Sequence, residues 1–140
     1  MKVGQLWLSL PVKNLQRSKE FFTAIGFMPN PNHANMEHLS SFLIGENNFV
    51  MMLFPEQSFK GFARNEISDT GKGTEILLNI DVQSRSEVDR TAEVIVRAGG
   101  KIFAGPHESD GWMYACGFED LDGHRWCVMH MDIEKMPENK

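Results

Sequence analysis

Two stretches of the chain alternate between apolar and polar positions in the same way: QLWLSLPV at 5–12 and EILLNIDV at 75–82. Leu6, Leu8, Leu10 and Val12 on one face match Ile76, Leu78, Ile80 and Val82. Gln5, Trp7 and Ser9 on the other face match Glu75, Leu77 and Asn79. A period of two predicts half-buried strands. The period then lengthens to that of a helix in both places. Asn14 can cap a segment whose stripe is Leu15, Phe22 and Ile25, ending at Gly26. Ser84 and Glu87 form a capping box ahead of Val88, Ala92 and Ile95, with Gly99-Gly100 as the stop. Helices over 14–25 and 84–98 follow.

Three short strand-like runs come next in each half: Phe27–Met28, His38–Ile44 and Phe49–Phe54, then Lys101–Ala104, Trp112–Phe118 and Arg125–Met131. The turns GENN (45–48) and DLDG (120–123) separate the last two runs of each set. The sequence therefore predicts an α+β protein of tandem βαβββ modules. Module one covers about 3–55 and module two about 74–132. The linker 56–73 is long enough to act as a lid carrying Phe59 and Phe62, and a C-terminal tail fills 133–140.

The composition narrows the function without naming it. Apolar residues make up 41% and charged residues 24%, and the formal charge is −5. That balance argues against a nucleic-acid partner and against a membrane surface, both of which attract basic faces. No signal peptide is evident at the N-terminus, and two cysteines suggest free thiols, so a cytoplasmic location is expected.

LPVKNLQRSKEFFTAIGF (10–27) and FEDLDGHRW (118–126) carry a more specific message. With the duplicated pattern they make the chain resemble, over about residues 3–132, the vicinal oxygen chelate superfamily. That superfamily includes glyoxalase I, bleomycin-resistance proteins and extradiol dioxygenases, and the two stretches together look like its bacterial branch labelled predicted lactoylglutathione lyase. The resemblance implies the glyoxalase/bleomycin resistance fold, with curved mixed sheets around a cavity and a homodimer. It also places metal ligands, His or Gln and then Glu, at the first and last strand of each half. Those positions carry Trp7, Met51, Leu77 and Cys127 here. Indole, thioether, alkyl and thiol groups do not make a site for a hard divalent ion. The FEDLDGHRWCVMHMD run (118–132) offers no local substitute, because Cys127 has the opposite strand parity to His124 and His130.

The expected function is thus metal-independent binding of an amphipathic small organic ligand, with no metal and no other cofactor. Trp7, Ser9, Met51, Leu77, Asn79, Tyr114, Arg125 and Cys127 are the expected ligand-binding residues, under Phe59 and Phe62. The alternative is a lyase or isomerase related to lactoylglutathione lyase, or a dioxygenase-like enzyme, with Tyr114 and Glu75 as acid–base candidates. A four-residue DLDG turn also sets Cys116 opposite Cys127.

Overall fold

The computed structural model describes residues 1–138, so the last two residues of the expected tail lie outside it. The chain forms two compact units, Met1–Asp69 and Thr70 onward. The first contains β1 (Leu8–Val12), α1 (Leu15–Ala24), β2 (Met28–Pro29), β3 (Ser40–Ile44), β4 (Phe49–Pro55) and α2 (Glu56–Ala63). The second contains β5 (Leu77–Asp81), α3 (Arg85–Arg97), β6 (Lys101–Ser109), β7 (Met113–Glu119) and β8 (Arg125–Met131). Short 3-10 turns occupy Pro31–His33 and Ile133–Lys135. Among the described residues no helix is long and apolar enough to cross a membrane.

Each unit holds one four-stranded mixed sheet, ordered β1-β4-β3-β2 and β5-β8-β7-β6. In both, the first strand runs parallel to the last and the remaining pairs are antiparallel. The crossover helix begins where the sequence predicts. Asn14 accepts a hydrogen bond from the Arg17 amide, and Ser84 accepts one from the Glu87 amide. Each helix ends at a glycine of positive φ, Gly26 and Gly99, a conformation that a side chain would strain.

One face of each sheet is covered by its helix. In the first unit Leu10, Val12, Phe42, Met51 and Leu53 are buried with Phe21 and Phe22 of α1. Phe22 stands 5.8 Å from the Phe42 ring and stacks on Phe27 at 5.6 Å. In the second unit Cys116, Phe118, Trp126 and Val128 are buried, as are Val88, Ala92 and Ile95 of α3. The Phe118 and Trp126 rings stack at 6.0 Å. Burying each large apolar side chain contributes roughly 2–3 kcal/mol, which is why the helix-facing parity is fixed.

Candidate functional site

Members of a strand pair share a sheet face, so the register assigns every side chain to the helix side or to the opposite, open side. On the open side of the first unit lie Ser9, Pro11, Ser41, Leu43, Val50, Met52 and Phe54. The second unit presents Asn79, Gly117, Glu119, Arg125, Cys127 and Met129 there, with Leu77 at the start of β5.

The structure brings most of the expected second-unit residues together. Leu77 pairs with Arg125, and Asn79 with Cys127, all on the open side. Asn79 Nδ2 donates to the Leu77 carbonyl at 3.2 Å, which turns the amide back along its own strand. Ser9 lies on the open side of the first sheet, beside Met52. Trp7 sits just before β1 and is 56% exposed.

Two expected residues are misplaced. Met51 is fully buried on the helix side, because the parallel pairing sets it beside Leu8 and in line with Phe42. Met52 takes the open-side position and is the true counterpart of Cys127. Tyr114 pairs with His130 and has the helix-side parity of Cys116 and Phe118. Its hydroxyl donates to Asp89 of α3 at 2.6 Å, and the Arg85 guanidinium stands 5.2 Å from its ring. That hydrogen bond, ahead of desolvation, holds the phenol above its ordinary pKa, so Tyr114 is a poor acid and lies away from the open face.

The turn after β7 explains a third correction. Glu119 pairs with Arg125, so residues 120–124 form a five-residue connection, and Cys116 faces Val128 while Gly117 faces Cys127. The two cysteines therefore point to opposite sides of the sheet, and both are free. Burial raises both thiols, Cys116 to about 11, so neither is poised as a thiolate nucleophile. Asp120, absent from the expected site, organises this connection. Its carboxylate accepts from the Asp122 and His124 amides at 3.0 Å and from Trp126 Nε1 at 3.1 Å. An aspartate opening an Asp-Gly turn was the available signal.

Phe103, Gly117 and Glu119 were also missed. Phe103 is the extra residue between Ile102, paired with Phe118, and Ala104, paired with Gly117. Its ring lies so close over Gly117 that an added Cβ would meet it at 2.4 Å. The Arg125 guanidinium stands 4.2 Å from the ring centre and donates from Nη2 to Glu119 Oε1 at 2.9 Å. Arg125 Nε is buried without a partner.

The lid residues belong to α2. Phe62 is exposed but sets its ring edge-on to Phe54 at 5.1 Å, and Phe59 is half-buried. Helix α2 thus folds back on an open-side residue of its own unit. A shallow groove of about 480 Å³ between α3 and β6, lined by Ala92, Val96 and Ile102 among others, is on the helix side and involves none of the expected residues.

The donor set does not fit the metal that the superfamily chelate would hold. With the register corrected, the four positions are Trp7, Met52, Leu77 and Cys127. They supply no imidazole and no carboxylate, and the one thiol is pushed toward its protonated form by burial. Among the described residues, no three His, Cys, Asp or Glu side chains come together as a metal-binding group.

The family model of the Glyoxalase/Bleomycin resistance protein/Dioxygenase superfamily matches residues 4–128. No curated protein matches the chain. Among solved structures, a hypothetical protein from S. aureus is 25% identical with a TM-score of 0.82, covering 93% of this chain and 95% of that one. A glyoxalase/bleomycin resistance protein/dioxygenase family enzyme from Burkholderia phytofirmans PsJN is 16% identical with a TM-score of 0.76, over 91% and 99%. The fosfomycin resistance protein FosX from Listeria monocytogenes is 19% identical with a TM-score of 0.69, over 96% of both chains. With two sheets of the same strand order, each backed by its crossover helix, the chain belongs to the Glyoxalase/Bleomycin resistance protein/Dioxygenase superfamily.

Proposed function

We propose that this chain is a metal-independent member of the superfamily that binds an amphipathic organic ligand on the open faces of its sheets. The observation that carries this reading is the composition of those faces. They are largely apolar, with Leu43, Val50, Met52 and Phe54 in one unit and Leu77 and Met129 in the other. A few polar groups are set among them: Ser9, Ser41, Asn79 and the Arg125–Glu119 pair. Apolar walls with sparse polar handles suit a small organic molecule. Lactoylglutathione lyase chemistry and the other Lewis-acid reactions of the superfamily are disfavoured by the donor set at Trp7, Met52, Leu77 and Cys127.

A homodimer forms part of the proposal, because the edge strands of each sheet expose backbone groups that a second copy can cover. Light scattering at tens of micromolar should then give twice the chain mass. A cytoplasmic location suits the two free thiols.

The deciding experiment is a thermal-shift screen of small organic compounds, run with divalent metals and with EDTA. Hits that raise Tm equally in both conditions support the proposal. Stoichiometric zinc, nickel, manganese or iron retained through purification, or lyase activity restored by metal, would overturn it.

A further inference from the structure

Three polar residues of the first unit converge at the connection between β2 and β3, apart from the residues considered so far for metal or acid–base roles. His33 Nδ1 lies 2.6 Å from Ser41 Oγ and 3.4 Å from Asn30 Nδ2. Asn30 and Ser41 are 6% and 5% exposed. Backbone pairing continues between them, the Asn30 amide donating to the Ser41 carbonyl at 2.9 Å.

The Asn30 contacts favour one direction for each hydrogen bond. Asn30 Oδ1 accepts from the Asn32 amide at 3.1 Å, which fixes the amide orientation and leaves Nδ2 facing the imidazole. Nδ2 can only donate, so its 3.4 Å contact with His33 Nδ1 favours the tautomer in which that nitrogen is unprotonated and accepting. The proton of the neutral ring is then on Nε2. Ser41 must in turn donate its hydroxyl hydrogen to Nδ1. With that hydrogen committed, Ser41 Oγ can offer only lone pairs, and no other group among the described residues takes them.

Ser41 is on the open side, paired across to Met52 and two residues from Leu43. We propose that Ser41, oriented by His33 and Asn30, is a hydrogen-bond acceptor subsite that selects ligands carrying an O–H or N–H donor at the end lying on this face. This rests on the open-face binding reading above and makes it more specific. A nearly dry acceptor discriminates strongly, because a ligand without the donor leaves the oxygen desolvated and unpaired. The apolar body of the ligand would lie over Met52 and Leu43.

The test uses 2-naphthol and 2-methoxynaphthalene, which share an aromatic body but differ in the donor hydrogen, in NMR titrations of the ¹⁵N-labelled protein. The imidazole nitrogens of His33 are read in the same samples before ligand is added. The expected result is an unprotonated Nδ1 and a preference for the naphthol of about tenfold, lost in Ser41→Ala. Asn30→Asp should move the ring proton to Nδ1, free the Ser41 hydrogen and abolish the preference, because the oxygens of both compounds can accept from a donating hydroxyl. A protonated Nδ1 in the wild type, or a preference that survives Ser41→Ala, would overturn the subsite. Equal binding of the two compounds overturns the subsite and leaves open-face binding intact. If neither compound binds, both the subsite and the open-face reading fail.

Discussion

The two units place different chemistry at equivalent positions of one sheet design. Aligning the registers makes Ser41, opposite Met52, the counterpart of Gly117, opposite Cys127. In the first unit that position carries a hydroxyl engaged with His33. In the second it carries no side chain, and the Phe103 ring occupies the space instead. The neighbouring pair diverges as well: Leu43–Val50 is apolar, whereas Glu119–Arg125 is an ion pair. The helix sides, by contrast, keep Phe42 and Phe118 at the same place, both fully buried. Packing against the crossover helix constrains one face in both copies, and the open faces are free to differ.

The largest effect separating the two faces should be in thiol reactivity. Cys116 is 1% exposed with its pKa pushed to about 11, so at pH 8 only about one molecule in a thousand carries the thiolate even before burial blocks access. Cys127, partly exposed on the open side, should react with a disulfide reagent orders of magnitude faster. One thiol is expected to titrate in the native protein and two after unfolding, with Cys127→Ser removing the native signal. An intramolecular disulfide formed under mild oxidation would contradict the register that separates the two residues.

Next in size is Asp120, for which the first unit has only the shorter turn Gly45–Asn48. Asp120→Ala removes the acceptor of two amide hydrogen bonds and of the one from the buried Trp126 indole, and should cost about 3 kcal/mol in a denaturant titration. Burial is the main influence on this carboxyl and raises its pKa above 3.8, against the opposing effects of His124 and the hydrogen bonds from Trp126, Asp122 and His124. A carboxyl raised on folding contributes most while protonated. Its contribution is full below the unfolded pKa and is lost as pH rises through the folded one. The margin of wild type over Asp120→Asn should therefore be widest in acid and narrow as pH rises through the raised folded-state pKa.

Gly117→Ala tests the exchanged position itself. The new Cβ meets the Phe103 ring at 2.4 Å, so the ring and the Arg125 stacked on it must move. A loss of about 2 kcal/mol is expected by thermal or denaturant unfolding. Ser41→Ala, at the matching place, removes a hydrogen bond without a clash and should cost about 1 kcal/mol. Equal losses would mean that the two open faces are built alike after all.

Much of this architecture is legible in the sequence, and the failures have definite causes. The duplicated strand, the Asn14 and Ser84 caps and the glycine stops specify both crossover units, because alternation, capping and positive φ are local properties. The facing of β4 is not local. FVMMLFP is apolar at successive positions, so no alternation distinguishes Met51 from Met52 until pairing with β1 decides. Tyr114 went astray through the turn: the Asp120 carboxylate draws in the amides of 122 and 124, the connection gains a residue, and every β7 partner shifts by one. Gly105-Pro106 suggests a break, yet β6 passes through with two irregularities and places Phe103 over Gly117. The approach of His33 to Ser41, eight positions away, left no mark in the pattern.

The smallest expected effect concerns the pair that most sharply distinguishes the open faces. Converting Arg125→Val and Glu119→Leu gives the second sheet the Val50–Leu43 pair of the first. The ion pair is partly exposed, 34% and 20% at the two side chains, so its coupling in a double-mutant cycle should be only about 0.5 kcal/mol and should shrink further in high salt. Arg125→Val alone should cost somewhat more than Glu119→Leu, because it also removes the guanidinium from the Phe103 ring. That loss is offset in part, since the buried and unpartnered Arg125 Nε goes with it. The double variant should unfold within about 1 kcal/mol of the wild type. A much larger coupling would make the Arg125–Glu119 pair a structural requirement of the second sheet. Near-neutrality leaves the pair available as a polar handle for a ligand, as the open-face reading expects.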